Sequence, residues 1–202
     1  MGVCYIVGAG DFFGEIHPKT GDLVIAADGG CDALARLGVK ADVIVGDMDS
    51  CDAPTPDVRT VKYPTKKDET DMHLSYLYGK RMGYSKFLVY GGTGGRPDHT
   101  FANYSLLFLA KNAGDSMTIV DRDYDIFALE NEKISIRDRL GATLSLFAFG
   151  GEVRGVSIEG CEYVATGATL TPDFALGVSN KICSECATVS LESGRLLVML
   201  SR

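Results

Sequence analysis

This sequence predicts an α/β domain followed by an all-β domain, on three observations. Short apolar runs rich in valine and isoleucine recur through the first 122 residues, with helix-capable sequence between several of them. Aspartates and glycines gather directly after those runs. Beyond residue 122 the helix signals stop, and strand-like runs punctuated by glycine continue to the end. The expected division is 1–122, a mostly parallel sheet with flanking helices, and 123–202, a β-sandwich or barrel-like domain.

The runs of the first part are VCYIVG (3–8), LVIAA (23–27), DVIVG (42–46), KFLVYGG (86–92) and MTIVD (117–121). They lack polar alternation, which suits strands buried on both faces of a parallel sheet. The helix candidates CDALARLG, DETDMHLSYLYGKRMG and HTFANYSLLFLAKNAG each close on a glycine fit for a C-terminal cap, at Gly38, Gly83 and Gly114. Asp68 reads as the N-cap of the second helix with Asp71 three residues on, as in a capping box. Pro97 suits the first turn of the third. In the second part KISIRD, TLSLFAF, EVRGVSI, ATVSLE and RLLVMLS read as strands. SLESGRLLVML reads as a hairpin turning through Glu192, Ser193 and Gly194.

A composition of 46% hydrophobic and 23% charged residues is ordinary for a globular chain. The net charge of −7 argues against a protein that wraps nucleic acid or coats an anionic membrane. The longest apolar run, LLFLA, is too short to cross a bilayer, and no basic region precedes the first apolar stretch. The expectation is a cytoplasmic protein whose six cysteines are reduced thiols. Cys183 and Cys186 form a CxxC pair, but His17, His73 and His99 are scattered, so small buried thiols are expected rather than a zinc site.

In an open parallel sheet, ligands bind beyond the carboxyl ends of the strands, often at a helix N-terminus. Asp28 follows the second run, and GDMDS follows the third with Asp47 and Asp49 two residues apart. Carboxylates so spaced lean to one face of extended chain and suit Mg²⁺ shared with substrate phosphates; a polar turn is the competing explanation. Asp71 can join that site, while Lys66 and Lys67 offer charge to phosphate. The run YGGTGGRPDHTFAN (90–103) fits neither the P-loop nor the GxGxxG spacing. Its glycines leave amide groups open to phosphate oxygens before a helix N-terminus, and Arg96 adds a forked donor. His99 and Asn103 share one face of that helix. VGAGDFFG after the first run nearly matches a dinucleotide fingerprint, with Asp28 twenty residues beyond Gly8, but Phe13 stands where the third glycine belongs.

Taken in order, ADGG (27–30), GDMDS (46–50), KDETD (67–71) and GGTGGRPDHTFAN (91–103) resemble the thiamine pyrophosphokinase family, and GVSN (177–180) is similar to its thiamine-side motif. The resemblance implies a homodimer with each site shared between subunits. It implies transfer of the pyrophosphoryl group of ATP to the hydroxyl of thiamine, giving thiamine diphosphate and AMP. Asp47, Asp49 and Asp71 would hold Mg²⁺, and Asp28, Gly29, Lys67, Asp68, Gly91, Gly92, Gly94, Gly95, Arg96, Asp98 and His99 would bind ATP. Asp49, Asp71 and Arg96 would carry catalysis, with Asp71 as the candidate base; Ser179, Asn180 and Asn103 would bind the acceptor. The chain has no tryptophan, which the family often presents to the thiamine ring; Tyr163 and Phe174 are candidates, though core packing is the expectation for both. That difference keeps open a pyrophosphokinase acting on another alcohol, such as a pterin. A non-catalytic nucleotide sensor is the alternative from another class.

Overall fold

The computed structural model describes residues 2–46, 58–63 and 68–202. The chain divides into two units, Met1–Arg122 and Asp123–Arg202.

In the first unit, β1 (Cys4–Val7), β2 (Leu23–Ala27), β3 (Val43–Gly46), β4 (Arg59–Lys62), β5 (Lys86–Tyr90) and β6 (Ser116–Val120) pair in parallel. Their order is β6-β5-β1-β2-β3-β4. Three helices cover the sheet: α1 (Gly30–Arg36), α2 (Asp71–Arg81) and α3 (Pro97–Asn112). The absence of polar alternation is explained by burial from both sides. Val24 and Ala26 of β2 join Val7, Leu34 of α1 and Ile44 in one core. Ile25, between them, faces α2, where a side chain at Gly79 would sit 2.8 Å from Cys4 Sγ. Phe87 is 1% exposed and meets Tyr76 of α2 edge-on with ring centroids 5.0 Å apart. Burying such a ring stabilises by about 1.5–3 kcal/mol.

The predicted C-caps hold, since Gly38, Gly83 and Gly114 all take left-handed φ values just past the three helices. The N-cap of α2 is corrected. Thr70, not Asp68, caps it, accepting from the His73 amide at 3.2 Å, and Asp71 is the first helical residue. A threonine hydroxyl already placed at the helix entry takes the role that the capping-box spacing assigned to Asp68. β4 was not anticipated. As an edge strand with partly exposed residues it needs no apolar run.

The second unit is a β-sandwich of β7 (Tyr124–Glu130), β8 (Lys133–Arg137), β9 (Thr143–Ala148), β10 (Val153–Glu159), β11 (Ala165–Leu170), β12 (Gly177–Lys181), β13 (Cys186–Ser190) and β14 (Arg195–Ser201). One antiparallel layer runs β12-β9-β14-β7 and the other β11-β10-β13-β8. Leu129, Leu144, Leu146 and Val198 of the first layer and Val153, Val156, Ala187 and Val189 of the second form one buried core. The hairpin expected through Glu192–Gly194 does not form. β13 pairs with β8 and β10 while β14 pairs with β7 and β9, so this turn carries the chain from one layer to the other. Leu191, 5% exposed, fills the core at that crossing.

Cys4 and Cys161 are buried free thiols, as expected. Cys183 is exposed, which corrects the expectation of burial there, and Cys31 is disulfide-bonded, which corrects the expectation of a reduced thiol. Among the described residues no helix is long and apolar enough to cross a membrane.

Candidate active site

β1 sits centrally, and the chain runs from it through β2, β3 and β4 before returning to place β5 on its other side. The order reverses between β1 and β5, so the loops at their carboxyl ends part to leave a crevice. Backbone bonds stitch these loops together: Gly8 donates to Tyr90 at 2.8 Å, Gly10 to Gly91 at 3.1 Å, and Asp11 to Thr93 at 2.9 Å. The Thr93 hydroxyl donates to Asp121, just past β6, at 2.7 Å. Gly91 has φ +60°, and a Cβ there would fall 2.5 Å from the Gly8 carbonyl oxygen. Only glycine fits, because the turn is left-handed and the two backbones touch.

The crevice has a volume of about 320 Å³. Of the residues singled out in the sequence, Asp28, Asp71, Arg96, His99 and Asn103 line it together with Gly91, Gly92, Gly94 and Gly95. Arg96 stands at the N-cap of α3, with Pro97 in the first turn as expected. Its guanidinium makes a two-pronged contact with Asp98, Nε to Oδ1 at 3.2 Å and Nη2 to Oδ2 at 2.6 Å. That hydrogen bond holds the Asp98 carboxyl below its usual pKa and the guanidinium above. Both side chains are exposed, so the pair adds little stability, and the arginine can trade its partner for a phosphate.

Asn103 is 7% exposed and donates its amide to the Gly92 carbonyl at 2.8 Å, bracing the glycine loop from inside. Asp71 stands at the first turn of α2, half-buried at the crevice wall. Asp28 follows β2 at φ +45°, its amide donating to Val45 at 2.9 Å. Its Oδ1 is buried with no hydrogen-bond partner among the described residues. A buried bare carboxylate oxygen in a ligand-sized crevice calls for a donor or cation from beyond the described residues. Among the described residues no three acidic, histidine or cysteine side chains converge as a metal site. Asp47, Asp49 and Lys67 lie outside the described residues. Gly29 is the N-cap residue of α1 and Asp68 is exposed; neither lines the crevice.

The loop after β1 also belongs to the site. Gly8, Ala9 and Gly10 line the crevice, although their stretch does not match a dinucleotide fingerprint. Its position at the end of the first apolar run, beside the order reversal, was the available signal.

In the second unit, Ser179 lies on β12 with φ +61°, exposed, its amide bonded to the Ser145 hydroxyl at 3.0 Å. Asn180 is 5% exposed, and its amide is occupied locally. It accepts from the Tyr163 and Lys181 amides, each at 2.9 Å, and donates to the Tyr163 carbonyl at 2.6 Å. Tyr163 and Phe174 do not pack in the core as expected; they are 67% and 66% exposed, with Val164, Leu176 and Val178 also exposed.

Two family models match the chain. "Thiamin pyrophosphokinase, catalytic domain" matches residues 18–119, and "Thiamin pyrophosphokinase, vitamin B1 binding domain" matches residues 131–196. The chain belongs to the thiamine pyrophosphokinase family. The thiamine pyrophosphokinase of Bacillus subtilis (strain 168) is 23% identical over 188 residues, covering 89% of this chain and 87% of the relative. The crystal structure of a Bacillus subtilis thiamine pyrophosphokinase superposes with a TM-score of 0.90 at 22% identity, covering 98% of each chain. That of the Candida albicans thiamin pyrophosphokinase reaches 0.79 at 14% identity, covering 99% of this chain and 88% of that one. Similarity of fold therefore extends through both units of this thiamine pyrophosphokinase family member, while sequence identity is low.

Proposed function

We propose that the chain transfers the pyrophosphoryl group of ATP to the hydroxyl of thiamine, forming thiamine diphosphate and AMP. Beyond family membership, the observation that supports this most is the crevice at the β1/β5 reversal. There glycine-loop backbone, the Arg96 guanidinium and two carboxylates, Asp28 and Asp71, line one ligand-sized space. Backbone amides and a guanidinium suit phosphate oxygens, and carboxylates suit a hard cation or a ligand hydroxyl.

In this reading the thiamine oxygen attacks the β-phosphorus, its proton goes to Asp71, and the bond from the β-phosphorus to the bridging oxygen breaks, releasing AMP. Arg96 and the glycine loop hold the phosphate oxygens so that attacking and leaving oxygens stay in line, which is where most of the rate comes from in phosphoryl transfer. Asn103 keeps the loop in shape by holding the Gly92 carbonyl. Asp28 offers its bare Oδ1 to the bound ligand. The crevice chemistry fits Mg²⁺, which Asp47, Asp49 and Asp71 would hold and which would neutralise phosphate charge. Asp98 positions Arg96 until phosphate takes its place.

The unit 1–122 acts as the ATP-binding catalytic domain and 123–202 as the thiamine-binding and dimerisation domain. The exposed Ser179 and the exposed apolar side chains of the second unit, Tyr163, Phe174, Leu176 and Val178, support that assignment. They also support a homodimer whose subunits share sites. Incubation with ATP, Mg²⁺ and either thiamine or a hydroxymethylpterin tests the acceptor. AMP release with thiamine alone is the expected result; release with the pterin alone would replace thiamine, and tight ATP binding without turnover would favour a sensor.

A further inference from the structure

A second cavity, of about 550 Å³, adjoins the loop that follows β1 within the first unit. Ala9 and Gly10 line both spaces. The second is otherwise lined by Asp11, Phe12, Phe13, Arg36, Arg122 and two apolar residues of the α1 segment. Its volume is that of a small-molecule site.

Two features set its chemistry. Arg36, in the last turn of α1, and Arg122, just past β6, both line it, and neither makes an ion pair among the described residues. Two guanidiniums without an ion pair among the described residues thus face one cavity in a chain of net charge −7. Their forked donors match phosphate oxygens. The second feature is aromatic. Arg122 stands 4.4 Å from the centre of the Phe13 ring, and Phe12 is held by stacking on Tyr90 at 5.2 Å. Phenyl and guanidinium faces together accept a flat ring. Asp11, the one carboxylate among the cavity's lining residues, also touches the glycine loop. A Cβ at Gly94 would fall 2.6 Å from its Oδ2, so the carboxylate leans on the glycine loop.

From this juxtaposition of Arg36, Arg122 and Phe13 we propose a second binding site, for a ring-bearing phosphate of the nucleotide class, separate from the catalytic crevice. Its occupancy bears on the crevice through the shared wall at Ala9 and Gly10, which is bonded to Gly91.

Calorimetric titration of the full-length protein with AMP tests the proposal. It reads binding alone and is independent of which alcohol the enzyme phosphorylates. The wild type is expected to bind two AMP per chain. The double variant Arg36→Gln/Arg122→Gln is expected to lose the second site by tenfold or more, as is typical when charge-assisted hydrogen bonds are removed (roughly tenfold each). It keeps the crevice site, which Arg96→Ala weakens instead. Phe13→Leu, which preserves both arginines, weakens the second site alone and stands in should the double variant melt early. A stoichiometry of one in the wild type overturns the proposal, as does unchanged AMP binding in both the folded double variant and Phe13→Leu.

Discussion

Asn103 reaches from α3 to the Gly92 carbonyl and donates its side-chain amide there at 2.8 Å, with only 7% of the residue exposed. The bond joins the helix whose N-cap is Arg96 to the glycine loop that lines the crevice. Losing it leaves a carbonyl bare inside the protein, a cost of about 1–3 kcal/mol. Asn103→Ala should therefore lower kcat/KM for ATP by about tenfold or more and lower Tm together. Asn103→Asp should be worse, because it sets an acceptor against an acceptor. Steady-state kinetics and thermal melts of both variants measure this.

Arg96 should be separable from stability. Its partner Asp98 is exposed and the pair contributes little to the fold. Arg96→Ala is expected to leave Tm within about a degree while turnover falls by two orders of magnitude or so, as for loss of a transition-state charge contact. Arg96→Lys should recover only part of the rate, since an ammonium cannot make the two-pronged contact.

Tyr76 and Lys80 of α2 converge on one buried oxygen of Asp115, the tyrosine hydroxyl at 2.7 Å. Burial and the hydrogen bond to Asp115 push the Tyr76 hydroxyl well above its ordinary pKa, so it stays a donor at all working pH values. Tyr76→Phe should destabilise by about 1 kcal/mol, because Asp115 keeps Lys80. Asp115→Ala should cost more, about 2–3 kcal/mol, since it leaves the Tyr76 hydroxyl without its acceptor and leaves Lys80 to the Ala113 carbonyl at 3.2 Å. Neither change touches the crevice, so turnover at low temperature should hold in both, as urea melts and initial rates will show.

Burial, aided by nearby Asp42, pushes the Cys4 thiol from 9.0 to about 12. At pH 8.5 it is a neutral, shielded thiol, whereas Cys183 is exposed. Iodoacetamide at that pH should label Cys183 in the native protein and Cys4 only after unfolding, as read by mass spectrometry. The linkage follows in sign. Below 9.0 both states carry a neutral thiol; toward about 12 only the unfolded chain ionises there, so this contribution to stability is full below that window and lost across it.

The parallel unit was legible in the sequence because its central strands are buried on both faces and so read as unbroken apolar runs. β4 was not, since an edge strand reading RTVK carries no such signal. The missed crossing at Glu192–Gly194 has a different cause. Two strand-like runs joined by a glycine turn look alike whether they pair with each other or enter opposite layers, and only the long-range pairing of β14 with β7 and β9 decides. Arg96, Asp71 and the glycines, which line one crevice, stand out in the sequence because their residue types and spacing are local features. The engagement of the Asn180 amide with Tyr163, seventeen residues away, follows from long-range pairing that no local spacing reveals.

The most direct test of the central claim follows the reaction by ³¹P NMR, with ATP, Mg²⁺, thiamine and the wild-type enzyme. Transfer of a pyrophosphoryl group predicts that AMP and thiamine diphosphate appear in equal amounts, without ADP and only when thiamine is present. Formation of ADP with thiamine monophosphate, or no consumption of ATP on adding thiamine, would contradict it.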